Sequence, residues 1–239
     1  MIEAIVFDFG QTLVDSANGF RAAEKEAQTK IFSDLAVSSW EAFLSAYREI
    51  RKESHERSIF SRKTIWLKTY THYGKKPDLN LIEKWEDDYW EKVRSKTKPF
   101  PETEQVLKTL SSSYRLAMIT NTQGQKISRK HRINEYPEIE RFFDLIIVAG
   151  ESGVPPKPDP APFLLCLNRL GIERSEAVYV GDDWRIDICG ALNVGIQPIW
   201  IQHESVRRSW PAVDTTVPII ATLDPLFRVE SIFSGGNFP

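Results

Sequence analysis

The stretch Ala4-Ile5-Val6-Phe7-Asp8-Phe9-Gly10-Gln11-Thr12 decides the reading of this sequence. Four apolar residues run straight into an acidic one, followed two positions later by a glycine. A short continuous apolar run of this kind predicts a strand buried on both faces, as in parallel sheets. Downstream of Pro99 the same grammar repeats. Residues 103–110 read as a helix, 116–120 as a strand, 125–133 as a helix and 145–149 as a strand. A helix over 160–170, a strand over 177–180, a helix over 187–193 and strands over 198–201 and 217–220 complete the series. Strands alternating with helices predict an α/β fold, a doubly wound (Rossmann-like) parallel sheet with right-handed crossovers. Ligands of such sheets bind beyond the carboxyl ends of the strands.

Between the first strand and this series the pattern changes. Residues 15–98 hold a single proline, Pro77, and many charges, with aromatic residues at helical spacing. Phe43, Ala46, Tyr47 and Ile50 fall on one helical stripe, and Ile82, Trp85, Tyr89 and Val93 on another. Gly74-Lys75-Lys76-Pro77-Asp78 punctuates two of the helices, with Asp78 placed to cap the second. The expected organisation is an α/β core from residues 1–14 and 99–239, with an all-helical cap over 15–98 inserted after the first strand. No strand is expected within the cap.

Composition narrows the function. The 31 basic and 33 acidic residues nearly cancel, leaving a net charge of -2, so the phosphate-neutralising surface of a nucleic-acid binder is absent. The hydrophobic share of 41% is enough for a packed core. Cys166 and Cys189 are too few for a disulfide framework and read as free thiols of a reducing compartment. Met1-Ile2-Glu3 lacks the basic start of a secretory leader, and no apolar run is long enough to span a bilayer. The expectation is a soluble, cytoplasmic protein with no membrane or nucleic-acid partner, monomer or homodimer.

The chemistry lies after the strands. Asp8-Phe9-Gly10-Gln11-Thr12 follows the first, Thr120-Asn121 the second, Lys157-Pro158-Asp159 the third and Gly181-Asp182-Asp183 the fourth, with Asp187 five residues beyond Asp182. Carboxylates converging from separate strand ends repel unless a cation sits among them. Oxygen ligands alone favour a hard ion such as Mg²⁺. A metal, a lysine and a hydroxyl around one carboxylate suit phosphoryl transfer. Each residue also has a plainer reading. Asp8 would be a strand-end residue, Lys157 a solvated loop lysine, and Thr120 a hydroxyl bonded to local backbone. Asp187 would favour a helix N-terminus, and Asp183 would be a surface carboxylate. The four histidines show no metal-ligand spacing. Arg51, Arg57 and Arg62 read first as solvated helix residues and second as anchors for an anionic substrate.

Taken in order, these four motifs resemble the haloacid dehalogenase (HAD) superfamily, specifically its phosphatase-like members with a helical cap inserted after the first motif. The resemblance covers nearly the whole chain. It implies a Mg²⁺-dependent phosphatase acting on a small phosphorylated metabolite through an aspartyl-phosphate. Asp8 would be the nucleophile and a metal ligand, with the Gly10 carbonyl and Asp182 as further ligands. Thr120 and the backbone of Asn121 would hold the phosphate, and Lys157 would stabilise its charge. Asp187, Asp183 and Thr12 would support them. The phosphatase pattern usually carries a second Asp two residues after the nucleophile, as acid and base, and here that position is Gly10. A positioned acid/base is worth about 10²–10⁴-fold in rate. Two alternatives follow from Gly10, a catalytically silent binding protein and a haloacid dehalogenase, whose halide leaves without a proton.

Overall fold

The computed structural model describes residues 1–122, 132–206 and 210–233. The chain divides into two compact units. One comprises Met1–Asp15, Lys98–Asn121 and Ile133–Pro239, and the other Ser16–Thr97 and Thr122–Arg132.

The first unit is built on a six-stranded sheet. Its strands are β1 (Ala4–Phe7), β4 (Arg115–Asn121), β5 (Leu145–Ala149), β6 (Ala177–Gly181), β7 (Gln197–Ile201) and β8 (Ile219–Ile220). Their order is β5-β4-β1-β6-β7-β8, and every neighbouring pair is parallel. This is the α/β doubly wound core that the apolar runs predict. Strand β1 is fully buried because both of its faces are covered. Ile5 and Phe7 face one apolar cluster with Leu116, Met118, Val178 and Val180. Ala4 and Val6 face the other with Ala117, Ile119, Ala177 and Tyr179. The period-two alternation thus assigns each strand residue to a face.

Helices α5 (Thr103–Leu110), α6 (Pro137–Glu140), α7 (Pro160–Leu170), α8 (Cys189–Val194) and α9 (Val229–Phe233) belong to this unit. Asp159 caps α7 by accepting a hydrogen bond from the Ala161 amide at 2.8 Å, and Pro160 opens it. Sheet order places β1 between β4 and β6, so the chain departs from β1 to one side and later returns on the other. The end of β1 is therefore a topological switch point, where a crevice opens in such sheets.

The elements differ from the expected ones in several places, and the expected helix over 125–133 falls almost wholly outside the described residues. Arg132–Glu135 forms a 3-10 turn. The helix expected from Asp187 is preceded by a π-helical turn, Trp184–Ile188, and α8 begins only at Cys189. The last strand is shorter than expected, two residues rather than four. A short antiparallel pair, β2 (Val14–Asp15) with β3 (Lys98–Pro99), was not foreseen, because two-residue strands carry no periodicity.

The second unit is helical, with α1 (Ala17–Leu35), α2 (Trp40–Glu56), α3 (Arg62–His72) and α4 (Leu79–Ser95). Ser39, Ser61 and Asp78 cap α2, α3 and α4 through side-chain acceptors. Phe43, Tyr47, Trp66, Ile82, Tyr89, Trp90 and Val93 form its buried core. A polar network lies inside that core. Glu24 accepts hydrogen bonds from Tyr47 at 2.7 Å and Tyr89 at 3.1 Å, and Arg62 Nε lies 3.5 Å from its carboxylate. Burial would raise the Glu24 pKa, but Arg62 and Arg51 overcome it and hold the carboxyl below its usual range. Arg62 therefore does not sit on a solvated helix face; it is committed to the interior of this unit.

Candidate active site

Asp8 leaves β1 with its amide still in the sheet, donating to the Val180 carbonyl at 2.9 Å. The next residues form a tight turn. The Leu13 amide donates to the Phe9 carbonyl at 2.9 Å, the Gln11 amide to the Val14 carbonyl at 2.8 Å, and Gln11 takes a left-handed φ of 64°. Thr12 is fully buried in this turn, and its carbonyl accepts from His203 Nε2 at 3.0 Å. His203 stacks on Phe100 at 3.5 Å between ring centroids and is a satisfied interior histidine.

Lys157 is the centre of the site. It is 1% exposed, and its ammonium meets four acceptors. These are Asp8 Oδ1 at 2.8 Å, with the Ile119 carbonyl, the Tyr179 hydroxyl and Asp187 Oδ1 each at 2.7 Å. Burial alone would strip its proton, but Asp187 and Asp8 outweigh that and keep its pKa above the ordinary lysine value. The backbone of Lys157 is fixed as well. Asn121 Oδ1 accepts from its amide at 2.8 Å, and Asn121 Nδ2 donates to its carbonyl at 3.0 Å. The side chain of Asn121, at the end of β4, thus clamps the loop that carries the lysine. Thr120 is buried one residue earlier.

The acidic residues after β6 are held by local geometry. The Asp182 carbonyl accepts from the Trp200 indole N–H at 2.9 Å, tying it to β7. Asp183 caps the π-helical turn by accepting from the Ile186 amide at 2.9 Å. Its carbonyl accepts from the amides of Asp187 at 2.8 Å and Ile188 at 3.2 Å, which sets the wider turn. That turn swings Asp187 back over the end of β6, where its Oδ2 accepts from the Asp183 amide at 3.0 Å. Gly181 makes room, because a Cβ there would lie 2.5 Å from Asp187 Cβ. Asp183 is therefore a cap within the turn rather than a free surface carboxylate.

Asp8, Asp182 and Asp187 each offer a carboxylate oxygen within 4.8 Å of the others, and all three are buried. Burial pushes the Asp8 pKa up to about 6, with Lys157 opposing the rise and Asp187 adding to it. Three buried carboxylates against one ammonium leave an excess of two negative charges when all are ionised. All-oxygen donors with surplus negative charge are the set a hard divalent cation prefers. Gly10, two residues beyond Asp8, pairs with Val14 in an isolated bridge and has no side chain to offer.

Two participants were not read from the sequence. Tyr179 looks like one more apolar residue of a buried strand; the available signal was that a phenol hydroxyl inside a doubly covered sheet needs a partner. Trp200 carries the same signal on β7. The clamp made by the Asn121 side chain joins segments 36 residues apart and leaves no local trace.

Comparison with known proteins agrees with this architecture. Residues 5–201 match the family of haloacid dehalogenase-like hydrolases. The chain is 27% identical over 233 residues to a glyceraldehyde 3-phosphate phosphatase of Methanothermobacter thermautotrophicus, covering 97% of this chain and 100% of that protein. Its fold resembles a HAD phosphatase from Thermococcus onnurineus, with TM-score 0.69 and 24% identity over 96% of this chain and 98% of the other. It also resembles a 2-haloacid dehalogenase from Pseudomonas syringae pv. Tomato, with TM-score 0.65 and 25% identity over 97% of this chain and 99% of the other. Motifs, sheet order and comparison converge, and the chain belongs to the haloacid dehalogenase-like hydrolases.

Proposed function

We propose that this protein is a Mg²⁺-dependent phosphatase of a small phosphorylated metabolite, working through an aspartyl-phosphate on Asp8. The observation that carries the reading is Lys157 Nζ, 2.8 Å from Asp8 Oδ1 inside a cluster of two further buried carboxylates. A carboxylate flanked by a buried cation and a cation-binding acidic group suits attack on a phosphoryl centre. The phosphatases among its relatives support the same reading.

In this reading an Asp8 oxygen bonds phosphorus as the bond from phosphorus to the leaving oxygen breaks. Lys157 donates to a phosphoryl oxygen and neutralises charge gathering there. Thr120 and the Asn121 backbone hold the remaining phosphoryl oxygens at the end of β4. Water then attacks phosphorus, breaks the acyl-phosphate bond and returns Asp8 as a carboxylate. Gly10 has no side chain to protonate the leaving alkoxide, so water supplies that proton. Asp8, Asp182 and the Gly10 carbonyl would hold Mg²⁺, which supplies electrostatic stabilisation of phosphoryl charge when bound. Asp187 acts through Lys157, while Asp183 and Thr12 shape the backbone around it.

The test is phosphate release from an aryl phosphate, whose leaving group needs little protonation. Release that depends on Mg²⁺ and is lost in Asp8→Asn supports the reading. Release that survives both a chelator and Asp8→Asn overturns it. Dehalogenation is the second reading, favoured by Gly10 and by the likeness to a 2-haloacid dehalogenase. The surplus of buried carboxylates opposes it, since it repels an anionic haloacid. Halide release without added metal would establish it instead.

A further inference from the structure

We propose that Tyr179 is a positioning residue for Lys157, holding the ammonium in place while Asp8 exchanges it for phosphorus. This inference rests on the phosphatase reading and adds a residue to it. An ammonium has three N–H groups, yet four acceptors lie at 2.7–2.8 Å from Lys157 Nζ. One of the four must share. Asp8 is the acceptor that changes during the reaction. Once its oxygen is bonded to phosphorus the carboxylate charge is gone, and its hold on the ammonium weakens. The N–H so released is the one that turns to a phosphoryl oxygen.

The other three acceptors keep Nζ where it is needed. The Ile119 carbonyl is fixed by β4, and Asp187 by the π-helical turn. Tyr179 connects them. Its oxygen accepts from Lys157 at 2.7 Å, and its single proton points to Asp187 Oδ1 at 3.1 Å or the Ile119 carbonyl at 3.3 Å. The hydroxyl thus spreads one ammonium bond onto either fixed acceptor. Without it, the three N–H groups would fall one each to the Ile119 carbonyl, Asp187 and Asp8, which binds the ammonium more firmly to the carboxylate that must be free to react. The phenol ring is locked independently, buried on β6 with its centroid 5.2 Å from that of Phe163. Removing the hydroxyl therefore need not move the ring.

The experiment measures hydrolysis of p-nitrophenyl phosphate at saturating Mg²⁺ in the wild type, Tyr179→Phe, Lys157→Met and the double variant. Thermal midpoints and far-ultraviolet circular dichroism verify folding. The expected result is a fall in kcat of about ten- to a hundredfold in Tyr179→Phe, the size of one hydrogen bond to a charged group, with KM changed much less. In the Lys157→Met background the same change should cost nothing further, because the hydroxyl has no ammonium left to hold. An unchanged kcat overturns the proposal, as does an equal loss in both backgrounds, which marks a structural disturbance. If Tyr179→Phe does not fold, Tyr179→Met carries the same comparison. Wild type that releases no phosphate overturns the phosphatase reading and this proposal together, whereas active wild type with unaffected Tyr179→Phe overturns this proposal alone.

Discussion

Asp8 has to be ionised to attack phosphorus, yet burial favours its neutral form and carries its pKa to about 6. A carboxyl raised in this way stabilises the fold below its unfolded pKa, near 3.8, and loses that contribution as pH rises through about 6. A divalent cation held by Asp8 and Asp182 would reverse the preference, since it binds the deprotonated form and displaces the proton. The thermal midpoint should therefore rise more on adding Mg²⁺ at about pH 7.5 than at about pH 5. Equal shifts at both pH values, in scanning calorimetry, would count against Asp8 as a ligand. Gly10 supplies a second prediction at this scale. Its φ lies outside the left-handed region that Gln11 occupies beside it, so a side chain there meets no left-handed strain. Gly10→Asp should raise turnover of alkyl phosphates by about a hundredfold, the lower end for a positioned acid/base. No rise in a steady-state assay would mean that the proton is already supplied efficiently. Asp8 and Asp182 could be singled out in the sequence because each closes an apolar run, whereas Lys157 and Asp187 stood out only through the order and spacing of the motifs. The roles of Tyr179 and the Asn121 side chain were not, because they exist only through contacts across the sheet.

Elements bring these residues together, and one of them departs from regular helix to do so. After β6 a regular α-helical turn was expected; the structure has a π-helical turn capped by Asp183. The wider turn aims Asp187 at both the Asp183 amide and Lys157. No hydrophobic pattern announces a single π turn, which is why the reading of 187–193 as plain helix missed its start. Strands β1, β4, β6 and β7 were legible for the opposite reason, as doubly buried strands write themselves as uninterrupted apolar runs, and the edge strand β5 shares that pattern. Gly181 is where strand and turn meet. An added Cβ would press to 2.5 Å from Asp187 Cβ and 2.6 Å from its Cγ, and a helical turn cannot step aside for it. Gly181→Ala should destabilise by about 1–3 kcal/mol, as overpacking does, and displace Asp187 from Lys157. Denaturant unfolding should show the loss, and Mg²⁺-dependent phosphate release should fall with it. A variant with unchanged stability and activity would show that this turn is softer than its contacts indicate.

At the scale of the whole molecule, every residue of the acidic and basic cluster belongs to the unit that contains the sheet. The helical unit has cohesion of its own, from aromatic packing and from the buried Glu24–Arg62 network. Its helices were legible from aromatic spacing, but the network was not, because Arg62 on a helix looks like any solvated arginine. Removing one member of a buried ion pair leaves the other charged and desolvated. Glu24→Ala should therefore cost about 3–5 kcal/mol, since Arg62 stays protonated and cannot escape to water. Glu24 also has its pKa held down, so its contribution is present above the unfolded value of 4.5 and is lost as pH falls through the lower folded value. The wild type should thus lose this contribution in acid, and Glu24→Ala should show a flatter acid limb of stability against pH. Stabilisation by Mg²⁺ should be retained in the variant, because no candidate ligand has been touched. Urea titrations across pH, with and without Mg²⁺, separate the two expectations. A cost below about 1 kcal/mol would mean that Arg62 finds another acceptor, whereas loss of the Mg²⁺ response would mean that the variant is disturbed well beyond the Glu24–Arg62 pair.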